Sequence, residues 1–259
     1  MNYISPEDPL AVAAVEAIHD GNVDALKRLL AENPSLATVR LGGKTSCDPG
    51  EMSRSLLHVA TDWPGHFPNG AETVAVLAAA GTDVNARFAG PHTETPLHWA
   101  ASSDDVAVLD ALLDLGADIE ATGAVIGGGT PLADAAAFGQ WKAARRLVER
   151  GAKTSLWEAA ALGLMDRVEG HFAGAALVPW SPRPPQADAS EPDEATHAFW
   201  CACHGGQQQA AEFLLNRGAD INWIGYDKMT PLDAARRAGA NELVAWLFHH
   251  GAKSTQELC

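Results

Sequence analysis

The chain has 259 residues, of which 47% are hydrophobic and 20% charged, so it can fill an apolar core and is not a disordered chain. Acidic residues outnumber basic ones by 33 to 18, which gives a formal net charge of −15. This charge repels phosphate backbones and anionic lipids, so we expect no nucleic-acid or membrane partner. The N-terminus lacks the basic region of a signal peptide, and the cysteines are too few for a disulfide scaffold. We therefore expect a cytoplasmic protein.

A pattern of two short helices recurs along the chain. It is clearest from Thr95 to Ala101, which reads Thr-Pro-Leu-His-Trp-Ala-Ala and is followed by a Leu-rich helix and a Gly-Ala-Asp segment. Thr is a good N-cap, Pro is tolerated in the first helical turn, and the closing Gly supplies a left-handed C-cap. In chain order the predicted helix pairs lie near residues 8–33, 55–81, 95–116, 130–151, 154–172, 197–218 and 230–251, with a Pro-rich loop at 173–195.

These motifs resemble the ankyrin-repeat family, whose T-P-L-H-x-A signature and closing G-A-D-x-N recur with small changes. The resemblance covers nearly the whole chain. It implies an all-α ankyrin-repeat solenoid of about seven helix pairs with short β-hairpin fingers, forming a single domain over residues 1–259. It also implies a protein or peptide partner that binds in the concave groove of the stack.

The chain departs from the repeat at several points. Gly43-Lys44-Thr45 looks like part of a phosphate loop, but the Gly required five residues earlier is Thr38, so we reject that interpretation. An insertion from Trp63 to Pro68 separates the two helices of one repeat and is placed to roof the groove. The turn between Ile119 and Thr130 carries three consecutive glycines and is longer than usual.

The residue after the signature His, and those three and four further on, share one helical face that we expect to line the groove. This frame predicts a first cluster rich in acid–base and aromatic side chains. Its candidate catalytic residues are Asp62, His66, Glu94 and Asp134. Its candidate binding residues are Trp63, His92, Trp99, Ser102, Ser103 and Phe138. We expect Asp62, Trp99 and Asp134 to project into one hollow, with Asp62 and His66 as an acid–base pair.

The same frame predicts a second cluster further along the chain. Its candidate binding residues are Glu158, Cys201, His204, Trp223 and Tyr226. Cys201, Cys203 and His204 resemble a metal-binding string, but on a helix Cys203 should face the core while the other two face the groove. We therefore expect no metal and no cofactor.

Two functions remain open from the sequence. The first is recognition of a protein, peptide or small-molecule partner in the groove, with the partner basic or neutral because the chain is acidic. The second is an enzyme that uses the first cluster for acid–base hydrolysis or isomerisation of a small molecule. We expect a monomer in either case.

Overall fold

The computed structural model describes residues 3–42, 52–174 and 192–258. The chain forms two compact units, residues 1–152 and 153–259. The Gly43-Lys44-Thr45 segment and most of the Pro-rich loop lie outside the described residues. Within the described ranges, no helix has the length and the apolar character needed to cross a membrane.

The first unit contains four helix pairs and a small sheet. Its helices are α1 (Pro9–His19), α2 (Val23–Glu32), α3 (Leu56–Ala60), α4 (Gly70–Ala79), α5 (Pro96–Ser102), α6 (Val106–Asp114), α7 (Pro131–Ala137) and α8 (Trp141–Glu149), with a 3₁₀ turn at Pro34–Thr38. Its strands are β1 (Tyr3–Ile4), β2 (Arg40–Gly42) and β3 (Ser53–Arg54). The first helices of successive pairs pack on one another, as do the second helices, so the unit is a short stack of repeats.

The second unit contains three helix pairs and a short terminal helix. Its helices are α9 (Leu156–Leu162), α10 (Met165–Phe172), α11 (Glu194–His204), α12 (Gln208–Leu215), α13 (Pro231–Arg237), α14 (Asn241–His249) and α15 (Thr255–Leu258), with a 3₁₀ turn at Tyr226–Lys228. Helix α11 packs against α9 on one side and α13 on the other. Within the described residues the two units contain seven helix pairs, so the fold is all-α apart from the small sheet.

The repeated motifs have direct structural reasons. The hydroxyl of Thr95 lies 2.9 Å from His98 Nδ1 in a capping box, and Pro96 occupies the first helical turn. Ala100 and Ala101 are completely buried, so adjacent helices can approach closely. At the other end of the repeat, the Asn85 side chain donates to Gly116 O (3.2 Å) and accepts from Asp118 N (2.8 Å) of the next repeat. The closing Asn therefore ties successive fingers together.

The three-stranded sheet joins the N-terminus to the second repeat. β1 pairs parallel with β2, β2 pairs antiparallel with β3, and Ser53 bridges to Ala89 of the following finger. The buried Arg40 donates to Ser53 O (2.6 Å) and Arg87 O (2.8 Å). Burial lowers the pKa of this guanidinium from its usual value. The sheet fixes β3, and with it Arg54, beside the first helices.

Candidate binding groove

An open cavity of about 400 Å³ lies in the first unit, between α1, the sheet and the fingers. Most of its lining is apolar. The lining residues are Pro6, Val12, Val15, Glu16, Leu41, Gly42, Met52, Ser53, Arg54, Phe88 and Trp99. Val12 and Met52 are 39% and 57% exposed, so the cavity opens to solvent along α1 and beside β3. We call this feature the apolar groove.

Trp99, which the sequence predicts as a binding residue, lies in the apolar groove. Its indole ring meets the His58 ring edge-on, with centroids 4.9 Å apart, and lies 5.4 Å from the Phe88 ring. Burial raises the pKa of the nearby Glu94, while a hydrogen bond from the Trp99 side chain and the charge of His92 oppose that increase. The indole is therefore held in place by neighbours on several sides.

Two signature histidines lie beneath the groove and join neighbouring repeats. His58 Nε2 lies 3.1 Å from Glu94 O, and His98 Nε2 lies 3.3 Å from Gly129 O. Burial lowers the pKa of His58 to about 3 and that of His98 to about 4, with only partial opposition from the backbone hydrogen bonds. Both rings are therefore neutral near pH 7 and act as structural bridges.

The predicted Asp62–His66 pair does not form. Asp62 makes an ion pair with Arg54, which the sheet places beside it. His66 Nε2 instead lies 3.0 Å from Ser103 O, and its backbone N–H donates to Asp105 Oδ2 (2.7 Å). The prediction was wrong because the insertion folds away from Asp62 and against the next helix–helix turn.

Asp134 lies in the interior, not in an open hollow. Its side chain is completely buried, and Oδ1 accepts from Ile126 N (3.1 Å) in the Gly-rich finger. Burial raises its pKa to about 7, further helped by the charge of Glu94 and opposed by hydrogen bonds from the backbone of Ile126 and Val125. Val59 occupies the equivalent position of its own repeat and is also completely buried. The prediction that the residue after the signature position lines the groove was wrong for Asp134, because in this chain that residue usually faces the interior.

The other predicted residues of the first cluster differ from one another in their contacts and their exposure to solvent. Ser102 and Ser103 donate their hydroxyls to the carbonyls of His98 and Trp99 (both 2.9 Å). His92 lies on the exposed finger. Trp63 and Phe138 are 81% and 47% exposed and lie in the connections between the two helices of their repeats. The insertion therefore leaves Trp63 in solvent and does not use it to cover the groove.

In the second unit, two residues predicted to line the groove, Glu158 and Cys201, are interior. Glu158 accepts from Ser155 N (2.7 Å) and Ser155 Oγ (2.8 Å), so it holds the position in the capping box of α9 that His98 holds in α5. Cys201 is buried along with Cys203, and burial, reinforced by the charge of Glu158, raises the pKa of the Cys201 thiol well above its usual value. The expectation that Cys201 faces the groove was therefore wrong.

The remaining residues of the second cluster form a partly exposed aromatic group. The Tyr226 hydroxyl lies 2.9 Å from His197 Nε2, and its ring meets that of Trp223 at 6.0 Å. The His204 ring stacks on Trp200 with centroids 5.6 Å apart. Across the part of the chain that the structure describes, no group of three or more His, Cys, Asp or Glu side chains is arranged to hold a metal ion.

Sequence reasoning missed most of the groove lining. Val12 and Val15 sit on a helix whose apolar residues look like core, and Met52 and Phe88 belong to connections outside the repeat signature. The sequence does contain a signal for some of these residues, because large apolar side chains are unusual in the solvated loops that form ankyrin-type fingers. The sheet, in which β1 pairs with β2 and β2 with β3, determines which of these residues come together in the groove.

Stacked helix pairs with an open groove define a helical-repeat protein. The chain belongs to the ankyrin-repeat family, because the family model described as Ankyrin repeats (3 copies) matches residues 57–157 and 172–257. It is also similar to an ankyrin repeat and KH domain-containing protein of Caenorhabditis briggsae, with 29% identity over 249 residues. That match covers 93% of this chain but only 8% of the length of the relative. Ankyrin repeats generally act as protein-interaction modules.

Proposed function

We propose that this protein recognises a protein or peptide partner by taking an apolar side chain of that partner into the apolar groove. The observation that carries the proposal is the exposed apolar lining, in which Val12 and Met52 face solvent next to the fixed ring of Trp99. Aromatic and apolar side chains in a concave site are typical anchors for a partner. The cavity volume suits a few side chains, and the groove opens along α1, so a longer segment can continue from it.

The charged groups at the groove margin suggest how a partner is oriented. Glu16 and Arg54 are the charged residues among the described lining, and Arg54 is already paired with Asp62. Glu16 is therefore the acidic residue at the groove that is placed to contact a basic group of the partner. Together with the net charge of −15, this favours a basic or neutral partner. A monomeric, cytoplasmic protein remains a prediction from the sequence.

Acid–base catalysis has no comparable support. Asp62 is held by Arg54, whereas Asp134 is completely buried against the Gly-rich finger. His66 contacts the carbonyl of Ser103. These candidate catalytic groups therefore have different partners, and we propose binding alone.

The test is peptide selection followed by affinity measurement. Peptides would be selected from a random library on the wild-type protein, and their Kd values measured by calorimetry at fixed salt. The double variant Val12→Gln/Met52→Gln keeps the charge and approximate size of both side chains but makes the groove polar. We expect it to weaken the selected peptides by at least about tenfold, or about 1.4 kcal/mol.

Leu115→Gln is the matched control, since Leu115 is 41% exposed but lies outside the groove, at the end of α6. It should leave the same Kd values unchanged. Equal weakening by the control, no effect of the double variant, or failure to select any peptide would refute the groove as the binding site.

A further inference from the structure

The connections between the two helices of each repeat form a continuous edge in the first unit. We define the turn edge as residues 20–22, 61–69, 103–105 and 138–140. The side chain of Asn69 donates to Gly21 O (2.9 Å) and His66 Nε2 lies 3.0 Å from Ser103 O. One repeat further, Asp104 Oδ1 accepts from Ala143 N (2.7 Å) at the start of α8. The first three connections are therefore in contact along the edge, and the third contacts the first turn of α8.

The longest connection holds an exposed tryptophan in a braced loop. Phe67 stacks on His19 with ring centroids 4.4 Å apart, and the backbone N–H of His66 donates to Asp105 Oδ2 (2.7 Å). Gly65 N donates to Asp62 O (2.7 Å), which closes the turn around Trp63. Trp63 itself is 81% exposed. A large aromatic ring is thus presented to solvent by a loop that is fixed on both sides, so little ordering is needed on binding.

The turn edge that carries this ring is acidic, although Arg54 from outside the edge pairs with one of its carboxylates. The turn edge contains Asp20, Asp62, Asp104 and Asp105 and no Lys or Arg. Among the described residues, only Asp62 of these four has an ion-pair partner. The carboxylates of Asp104 and Asp105 accept from the backbone N–H groups of Ala143 and Val108. Asp105 is only 4% exposed, so Asp20 and Asp104 supply the accessible carboxylates of the edge that have no ion-pair partner among the described residues. An exposed indole on such an acidic edge is complementary to a cation.

We propose that the turn edge is a second docking surface, separate from the apolar groove, for an arginine-containing basic peptide segment of a partner. An arginine guanidinium lies flat on the Trp63 indole, and the accessible carboxylates of Asp20 and Asp104 attract neighbouring basic residues of the same segment. Arginine fits better than lysine, because its planar group stacks on an aromatic face. The acidic surroundings disfavour an anionic partner of any kind.

The test uses the full chain and two synthetic peptides. In one peptide arginine alternates with serine, and in the other citrulline replaces each arginine, which keeps the shape but removes the charge. We expect the arginine peptide to bind with a Kd that Trp63→Ala raises about two- to fivefold, since an exposed cation–π contact contributes about 0.5–1 kcal/mol. The citrulline peptide should bind far more weakly. Trp63 is so exposed that the variant should keep the wild-type melting temperature.

Trp246→Ala is the control, because it removes a partly exposed tryptophan from α14 in the other unit. It should not change the Kd. The groove variant Val12→Gln/Met52→Gln should also bind the arginine peptide normally, so failure of the groove proposal and failure of this one are distinguishable. Equal affinity for both peptides, or equal binding by Trp63→Ala and wild type, would overturn the proposal. So would a Trp63-dependent association of the protein with itself or with lipid vesicles, since another occupant would then use the surface.

Discussion

Asp134→Asn should change how the stability of the first unit depends on pH. In the folded protein burial raises the pKa of Asp134 from 3.8 to about 7. A carboxyl group with a raised pKa stabilises the fold fully below pH 3.8, and this stabilisation is lost as the pH rises towards and through 7. The reason is that the unfolded chain releases the proton first, while the folded protein retains it. Asn cannot ionise, but its Oδ1 can still accept from Ile126 N.

The magnitude follows from the same two pKa values. Each pKa unit corresponds to about 1.36 kcal/mol, and the two units between pH 5 and pH 7 therefore give about 3 kcal/mol. The free energy of unfolding of Asp134→Asn, measured relative to wild type, should rise by about this amount from pH 5 to pH 8. The free energies of unfolding of Asp134→Asn and wild type should also differ by an amount that does not depend on pH. Asp134 Oδ2 has no hydrogen-bond partner in the described structure, so the amide N–H₂, with one more donor than the protonated carboxyl, costs about 1–3 kcal/mol relative to the protonated wild-type chain.

Urea unfolding at a series of pH values measures this difference directly. Titration of His58 and His98 occurs in both proteins and cancels to first order. Asp110→Asn is the control, since hydrogen bonds from Arg146 and Arg150 outweigh burial and lower the pKa of Asp110. The difference in free energy of unfolding between Asp110→Asn and wild type should not change with pH above pH 5, because Asp110 is ionised there in both the folded and the unfolded chain. A flat difference for Asp134→Asn, or one that falls with pH, would refute the account of Asp134 as a buried, proton-retaining side chain.

Two further predictions concern the stability of the repeats. Leu112 is completely buried in α6, so Leu112→Ala should lower the free energy of unfolding by about 2–5 kcal/mol, and a melting shift no larger than that of exposed Lys142→Ala would contradict the packing described. Gly123 has φ +118° and a Cβ there would lie 2.5 Å from Thr93 O, whereas Gly116 has φ +91° and open space around that position. In chemical denaturation Gly123→Ala should therefore cost at least about 1 kcal/mol more than Gly116→Ala, and equal costs would mean that the long finger is not packed against Thr93.

The sequence predicted the repeat architecture well because each motif has a local cause. The Thr95 cap, the Pro96 turn and the closing Asn85 act within one repeat or between neighbours, so their spacing in the sequence survives in the structure. The buried alanines follow from the same helical period. Features of this kind need no knowledge of distant contacts.

The candidate site was harder to predict because it depends on segments outside the repeat. Arg54 reaches Asp62 because β3 pairs with β2, and β2 pairs with the N-terminal strand, a sheet that helical periodicity does not indicate. The insertion after Asp62 turns against Ser103 and Asp105 for reasons that lie in the next repeat. Trp99 was found by its repeat position, but its partner Phe88 was not.

The contrast between Trp99 and Asp134 shows what sets the surface of this protein. Both stand four residues after the Thr that opens their repeat, so the helix directs both side chains alike. The connection next to Trp99 leaves its ring half-buried, at the wall of the groove. The longer finger before α7 folds over Asp134 and donates a backbone N–H to it, so the carboxyl becomes interior. In this chain the repeat determines the position of a side chain on its helix. The length and folding of the neighbouring finger then determine whether that side chain is exposed to a partner.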